Sequence, residues 1–406
     1  MLNFHFGRKY HFVILEVAFF YRFSISVIAS PLTSFCIFAQ CYTCTYWCLR
    51  NWKLYILILS MGESECYNVG ALIEKLASEH VLAKDEYVRL ISGCSEDMVR
   101  RVSAEAKKVA EASFRNKILL RGLLEISNHC RNGCRYCGLR CSNAGVERYR
   151  MSREQILERC RYAYAIGLRT FVLQGGEDAV QTDLWIASVV KTLKDEMPDA
   201  AVTLSVGERS AEGYRMMREA GADRYLLRHE AADAALYGRI HPVGMSHTHR
   251  IECLYELKRL RFQTGTGFMV GVPFQTAENI ADDLLFIHRF QPDMIGIGPF
   301  IASRGTPFEN EPNGNLEITL LLIGILRLMF PKAHIPSTTA LATLSPEGRL
   351  RGILAGANVV MPNISPVEVR DKYSIYDGKA AFGAECGEGI SVLKKQLASI
   401  GYSVDE

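Results

Sequence analysis

An alternation of short apolar runs and helical stretches, beginning at Ile118, constrains the fold of this chain more than any other feature. Runs suited to buried parallel strands recur at Ile118–Ile126, Thr170–Gln174, Ala201–Val206, Arg224–Arg228, Thr266–Val270, Met294–Gly298, Ile335–Thr339 and Asn358–Met361. Between them the apolar spacing turns helical, over Ser152–Ile166, Asp183–Met197, Ala211–Ala220, Ser246–Phe262, Ala277–Phe290, Glu317–Phe330 and Pro346–Ala355. Gly167, Gly221 and Gly356 stand where a helix has to stop before the next strand. Eight strands with seven intervening helices is the count of an α/β chain folded as a (β/α)8 TIM-type barrel. An open doubly wound sheet is the alternative. No G-x-G-x-x-G opens the first helix, which leaves its dinucleotide-binding version without support.

The flanks divide the chain further. Residues 61–115 form a helical preface, with Leu72, Ile73 and Leu76, then Tyr87, Leu90 and Ile91, at helical spacing and a cap at Ser95–Glu96–Asp97. The barrel occupies 116–365, and a tail over 366–406 closes it with a final helix near Gly389–Ile400. Residues 1–60 differ in kind. They hold 15 of the 40 aromatics and five Lys or Arg against the single acid Glu16, a net +4, which leaves 42 basic and 43 acidic residues in the rest. A near-neutral body argues against a nucleic-acid binder. Glu16 and Arg22 interrupt the first apolar stretch, which argues against a membrane span, and no small-residue cleavage site ends the segment. The leader therefore reads as dispensable text before Met61, with a membrane anchor as the alternative. Cys41, Cys44 and Cys48 within it lack the His, Asp or Gly-rich turn of a metal site.

The first strand runs into Ser127-Asn-His-Cys130-Arg-Asn-Gly-Cys134-Arg-Tyr-Cys137-Gly-Leu-Arg140. Three cysteines at x3 and x2 spacing in a Gly-containing loop can converge on one metal centre, and Arg131, Arg135 and Arg140 are expected to favour their thiolates. Zinc would need a fourth ligand, for which Cys141 is available by spacing. A [4Fe–4S] cluster on three thiolates keeps one iron open for a ligand.

Other chemistry-bearing residues fall on predicted strand ends, where barrels gather their active groups. Strand two ends in Gln174-Gly175-Gly176-Glu177-Asp178, with glycines for close backbone approach and a carboxylate for an ammonium. On strand three, Thr203 and Ser205 share a face. On strand four, Arg228 and Glu230 do too, suiting either a zwitterionic ligand or a mutual salt bridge. His229 and His241 read as structural. Arg250 opens the next helix, Thr338 and Thr339 end strand seven, Met361 lies on strand eight, and Tyr373 follows in the tail.

The cysteine spacing with an aromatic before the last Cys resembles the signature of the radical S-adenosylmethionine (SAM) superfamily, and LQGGED resembles its Gly-Gly-Glu motif. CRNGCRYCGLR, RYRMS, TLSVGE, GADRYLLRHE, GIGPFI, PSTTA and GANVVMPN together resemble the HydE family of [FeFe]-hydrogenase maturases, over most of residues 115–400. The resemblance implies that Cys130, Cys134 and Cys137 hold one [4Fe–4S] cluster whose open iron chelates SAM, which is cleaved reductively to a 5′-deoxyadenosyl radical. It places Tyr136, Gly175, Gly176, Glu177, Ser205, Glu230 and Arg250 around SAM, with Tyr136 against the adenine. Gln174, Thr203, Arg228, Thr338, Thr339, Met361 and Tyr373 would line a substrate cavity. The implied substrate is a cysteine-bearing Fe(CO)2(CN) precursor from a partner maturase, attacked at sulfur during H-cluster assembly. The implied electron donor is a low-potential ferredoxin or flavodoxin, with the other maturases as partners.

Some members of that family carry three more cysteines near the C-terminus. This chain offers only Cys386 there, so no second cluster is expected. Biotin synthase and methylornithine synthase are the related alternatives. Biotin synthase needs cysteines inside its barrel, whereas Cys160 and Cys253 fall on predicted helices. A scaffold that binds metal without turnover is a further alternative. An oxygen-sensitive cluster calls for an anaerobic, reducing compartment, the cytoplasm by default or an organelle if 1–60 is an address.

Overall fold

A computed structural model of the chain describes residues 69–379 and 386–405, all within the second of two compact units, Met1–Asn68 and Val69–Glu406. The leader 1–60, with Cys41, Cys44 and Cys48, and the side chain of Cys386 lie outside the described residues.

The alternation closes into a barrel. Strand one is formed by β1 (Lys117–Leu120) and β2 (Gly122–Ser127), split at Arg121. Next come β3 (Thr170–Gly175), β4 (Ala201–Ser205), β5 (Arg224–Leu226) and β6 (Gln263–Thr266). The series continues with β7 (Met269–Val270), β8 (Met294–Ile295), β9 (Gly298–Pro299) and β10 (Val359–Val360). β2, β3, β4, β5, β6 and β8 pair in that order, all parallel. Strand seven contributes single bridges, Met294 to His334 and Pro336 to Val359, and the ring shuts where β10 pairs with β1 and Asn363 bridges Leu123. Strand burial on both sides explains the near-continuous apolar runs. One rung crosses three strands: Glu125 is in register with Gln174, and Gln174 with Ser205.

Several details depart from expectation. Strand five starts earlier, at Gln263, and breaks at Gly267. There φ is +158° and a Cβ would sit 2.0 Å from the carbonyl oxygen of Gly296, so strands five and six touch backbone to backbone. Thr339 opens the short helix Thr339–Leu344 instead of ending a strand. The short helices Ala234–Ile240, Thr339–Leu344 and Val367–Arg370 are too brief to show a period in sequence.

The helical preface covers one flank. Helix Leu316–Met329 is apolar on nearly every side, a pattern that needs cover on both faces. The barrel supplies one cover and helix Glu96–Phe114 the other, with Val102 against Gly324. Ser95 caps the covering helix by accepting from the Met98 amide. At the other end of the chain, helix Cys386–Ser399 leads into β11 (Ser403–Val404), a strand not expected from sequence, which pairs parallel with β1.

Arg327 is fully buried and donates to the carbonyls of Gly356, Phe330, Pro331 and Ala333 and to Asn358 Oδ1, at 2.8–3.1 Å. It fastens the turns that enter strands seven and eight. Arg327→Met would strand buried acceptors and is expected to cost about 3 kcal/mol or more, read by denaturant unfolding.

Candidate active site

The cysteine loop, 128–150, leaves the C-terminal end of β2 and is held by its own second half. Arg148 gathers four carbonyls: Asn128 and Leu139 on Nη1 at 2.6 and 2.9 Å, Arg140 and Asn143 on Nη2 at 2.7 and 3.3 Å. Arg150 grips Asp178 with Nε and Nη2 at 2.6 and 3.0 Å, and Ser127 Oγ donates to the same carboxylate at 2.8 Å. Burial pushes the Asp178 carboxyl up, but these donors hold it below its ordinary value. Such a bidentate pair is the strong kind of ion pair. Gly176 lies so close that a Cβ would stand 2.4 Å from the His129 carbonyl oxygen and 2.6 Å from Cys130 Cβ. The second glycine of LQGGED is thus required for the strand-two turn to pack on the cysteine loop.

Cys130, Cys134 and Cys137 are all half-buried with free thiols. Burial raises each, and neighbouring thiols raise them further; Cys137 is pushed up to about 12. The cations that oppose this are Arg250 at Cys134 and Arg228 at Cys137, both from the barrel rim. This corrects the expectation for the loop arginines: Arg131 turns to Glu177, and Arg140 to the Gly133 carbonyl at 3.4 Å. Three mutually repelling thiols need a cationic centre to ionise together, which is the donor chemistry of an iron–sulfur cluster. Among the described residues no three His, Cys, Asp or Glu converge as one metal ion requires. A cluster asks for one thiolate per iron instead.

The residues assigned to SAM divide into two groups. Glu177 is buried and holds Arg131 Nε at 3.2 Å, accepts from the Glu208 amide at 2.9 Å and stands 4.0 Å from Arg250 Nη2. Arg250 Nε in turn donates to Glu208 Oε1 at 2.6 Å and Nη1 to the Arg228 carbonyl at 3.2 Å. Glu230 pairs with Arg228 at 3.0 Å through Oε1, while its buried Oε2 has no partner. It holds φ at +66°, a left-handed conformation that a Glu adopts only under constraint, and such strain collects at functional sites. Tyr136 donates to His241 Nε2 across 3.1 Å, and the two rings meet edge to face at 5.5 Å. Burial lowers His241 to about 4, so it is neutral, with Nδ1–H directed to the Tyr237 carbonyl and Nε2 left to accept. His229, fully buried between Thr266 and Asp283, is structural.

The substrate set is only partly assembled in one space. Thr339, Met361 and Tyr373 line a chamber of about 320 Å³ together with Leu123, Asn363, Arg370 and Lys379. Gln174 reaches it by donating to the Tyr373 hydroxyl at 3.3 Å. Thr203 and Thr338 are outside its lining. Both have a buried hydroxyl with no partner, as does the Glu230 carboxylate. Buried polar atoms are nearly always paired, so three orphans among the ligand candidates fit groups waiting for a ligand.

Sequence reasoning missed Glu125, Asn363, Lys379 and Glu208. Glu125 carried a readable signal, an acid in the middle of the apolar strand GLLEIS. Lys379 had none, since only the fold brings the tail back over strand one.

Residues 124–287 match the Radical SAM superfamily. The [FeFe] hydrogenase maturase subunit HydE of Thermotoga maritima is 45% identical over 286 residues, covering 70% of this chain and 81% of the relative. The chain belongs to the HydE family. As a radical SAM enzyme of that family, it is also 30% identical to the 3-methylornithine synthase of Methanosarcina acetivorans, over 73% of this chain and 84% of that one. The solved methylornithine synthase PylB superposes with a TM-score of 0.71 at 26% identity, covering 82% of this chain and 97% of its own. Among the described residues no helix is long and apolar enough to cross a membrane.

Gly176→Ala is expected to displace the cysteine loop without unfolding the barrel. Iron bound after anaerobic reconstitution should fall by more than half, about as in a Cys134→Ala control, while the circular dichroism spectrum is unchanged.

Proposed function

We propose that this chain is a radical SAM enzyme of [FeFe]-hydrogenase maturation, acting on a cysteine-bearing Fe(CO)2(CN) precursor supplied by a partner maturase. The observation that carries this reading is the 45% identity to the Thermotoga maritima maturase, against 30% for the mutase from Methanosarcina acetivorans. When bound, a [4Fe–4S] cluster on Cys130, Cys134 and Cys137 would supply the electron that cleaves SAM. One cluster per chain is proposed, with a low-potential ferredoxin or flavodoxin as donor, the other maturases as partners and an anaerobic cytoplasm as the setting.

The chain's own residues supply binding and orientation. Glu230 and Arg228 offer a fixed anion and cation to the two charges of an amino-acid moiety, and Arg250, braced by Glu208, offers a further cation beside the cysteine loop. Gly176 lets the strand-two turn approach the cluster loop, and Tyr136 presents its ring beside it. Thr203, Thr338 and Thr339 present hydroxyls for small polar ligands on the metal. The Gln174–Tyr373 bond holds the Tyr373 ring in the chamber lining. A mutase acting on lysine is the second reading, favoured by the likeness to PylB across the barrel. A sulfur-inserting, biotin-synthase type is disfavoured by Cys160 and Cys253 lying on helices.

The test is an anaerobic electron paramagnetic resonance spectrum of the reduced, reconstituted full chain. About four irons per chain and a [4Fe–4S]⁺ signal that shifts on adding SAM are expected; clearly more iron would refute the single cluster, and zinc without a signal would refute the reading. Product analysis with lysine and with the iron–cysteine complex then separates the mutase from the maturase. Glu230→Gln is expected to weaken the SAM-induced shift, raising the SAM concentration for half effect by roughly ten-fold or more.

A further inference from the structure

Glu125 is an acid in the interior of strand one, with a side chain 1% exposed. Burial raises its carboxyl, and three groups oppose that rise: the Lys379 ammonium, in direct contact with Oε1, the Asn363 amide, which donates to Oε2 at 2.9 Å, and the charge of Arg370. Lys379 comes from the other end of the chain. Its ammonium also donates to the Tyr373 carbonyl at 3.2 Å and lies 5.0 Å from the centre of the Tyr373 ring. It stands between Glu125 and the chamber, whose wall it forms with Tyr373, Ser374 and Gly378.

The same segment leans on the cysteine loop. The Gly138 amide, next to Cys137, donates to the Ile375 carbonyl at 3.0 Å. The Ser374 carbonyl packs so closely that a Cβ on Gly138 would be 2.3 Å from it. Asn128 donates to the Lys372 carbonyl at 2.8 Å, and outside that loop the Asp377 amide donates to the Ala302 carbonyl, just past β9, at 3.2 Å. One stretch of nine residues, 371–379, is therefore both the chamber wall and a brace on the cysteine loop.

We propose that Lys379 is a positioning residue: gripped by Glu125, it holds 371–379 closed over the chamber and against the cysteine loop, so that SAM is cleaved in a dry, shut site. The inference rests on the radical SAM reading above. Without Lys379 the buried carboxylate keeps only the Asn363 amide and the charge of Arg370, and the water it then draws in favours opening. Opening would admit water to the chamber and loosen the loop at Gly138 in one motion.

Hydrogen exchange on the reconstituted full chain reads the closure directly, because the Gly138 and Asp377 amides are bonded across the seam. Lys379→Met and Glu125→Gln are expected to lower protection at both amides together, by roughly a hundred-fold for the loss of one partner of a buried pair. Protection of Ala201–Ser205 should not change. The yield of 5′-deoxyadenosine per substrate converted should rise in both variants, and Lys379→Arg should restore protection and yield. Wild-type protection at Gly138 and Asp377 in Lys379→Met would overturn the proposal, as would a loss spread evenly over the barrel. A wild-type chain that cleaves no SAM would refute the radical reading instead, and the exchange result would still decide the closure.

Discussion

Everything at the rim depends on how the cysteine loop is kept in shape, and one guanidinium does most of that. Arg148 ties the first carbonyl of the loop and three from its middle to a single point. A loop with this many backbone groups turned inward could not otherwise satisfy them without water, and buried carbonyls left open are costly. Arg150 then anchors the loop to Asp178 at the end of strand two. Two alternate residues of one extended stretch thus divide the work, one shaping the loop and the other fixing it to the barrel.

The rim is arranged as alternating charge. Arg131, Glu177, Arg250 and Glu208 form a chain of contacts, and Arg228 with Glu230 forms a second pair. Each buried charge has an opposite neighbour, so the site carries little uncompensated charge of its own and need not rearrange when a zwitterion enters. The orphaned oxygens of Thr203, Thr338 and Glu230 lie outside this balance, which marks them as the groups with capacity to spare.

Much of this was legible in the sequence because barrels repeat a local rule. Apolar runs, helical spacing and stop glycines are short-range signals, and Gly167, Gly221 and Gly356 do adopt positive φ at the helix ends. The cysteine spacing and the Gly-Gly-Glu turn were legible for the same reason, since each lies within one loop. Contacts made across the barrel were not. Nothing near Lys379 announces Glu125, and nothing near Arg228 announces Cys137, because those pairs exist only after closure. The end of strand seven differs for a related reason: Thr338 stays extended, but Thr339, which suits an extended chain locally, opens a helix at the rim.

The last strand has a consequence for how the enzyme comes into being. β11 pairs with β1, and β10 lies on the other side of the same strand, so the opening strand of the barrel is flanked on both sides by segments far along the sequence. During synthesis those partners emerge long after strand one, and pairing between distant segments carries the full entropy of loop closure. Until then the edge of strand one is an unpaired template for other chains. The barrel around Cys130, Cys134 and Cys137 therefore cannot shut until residues 359–404 have been made.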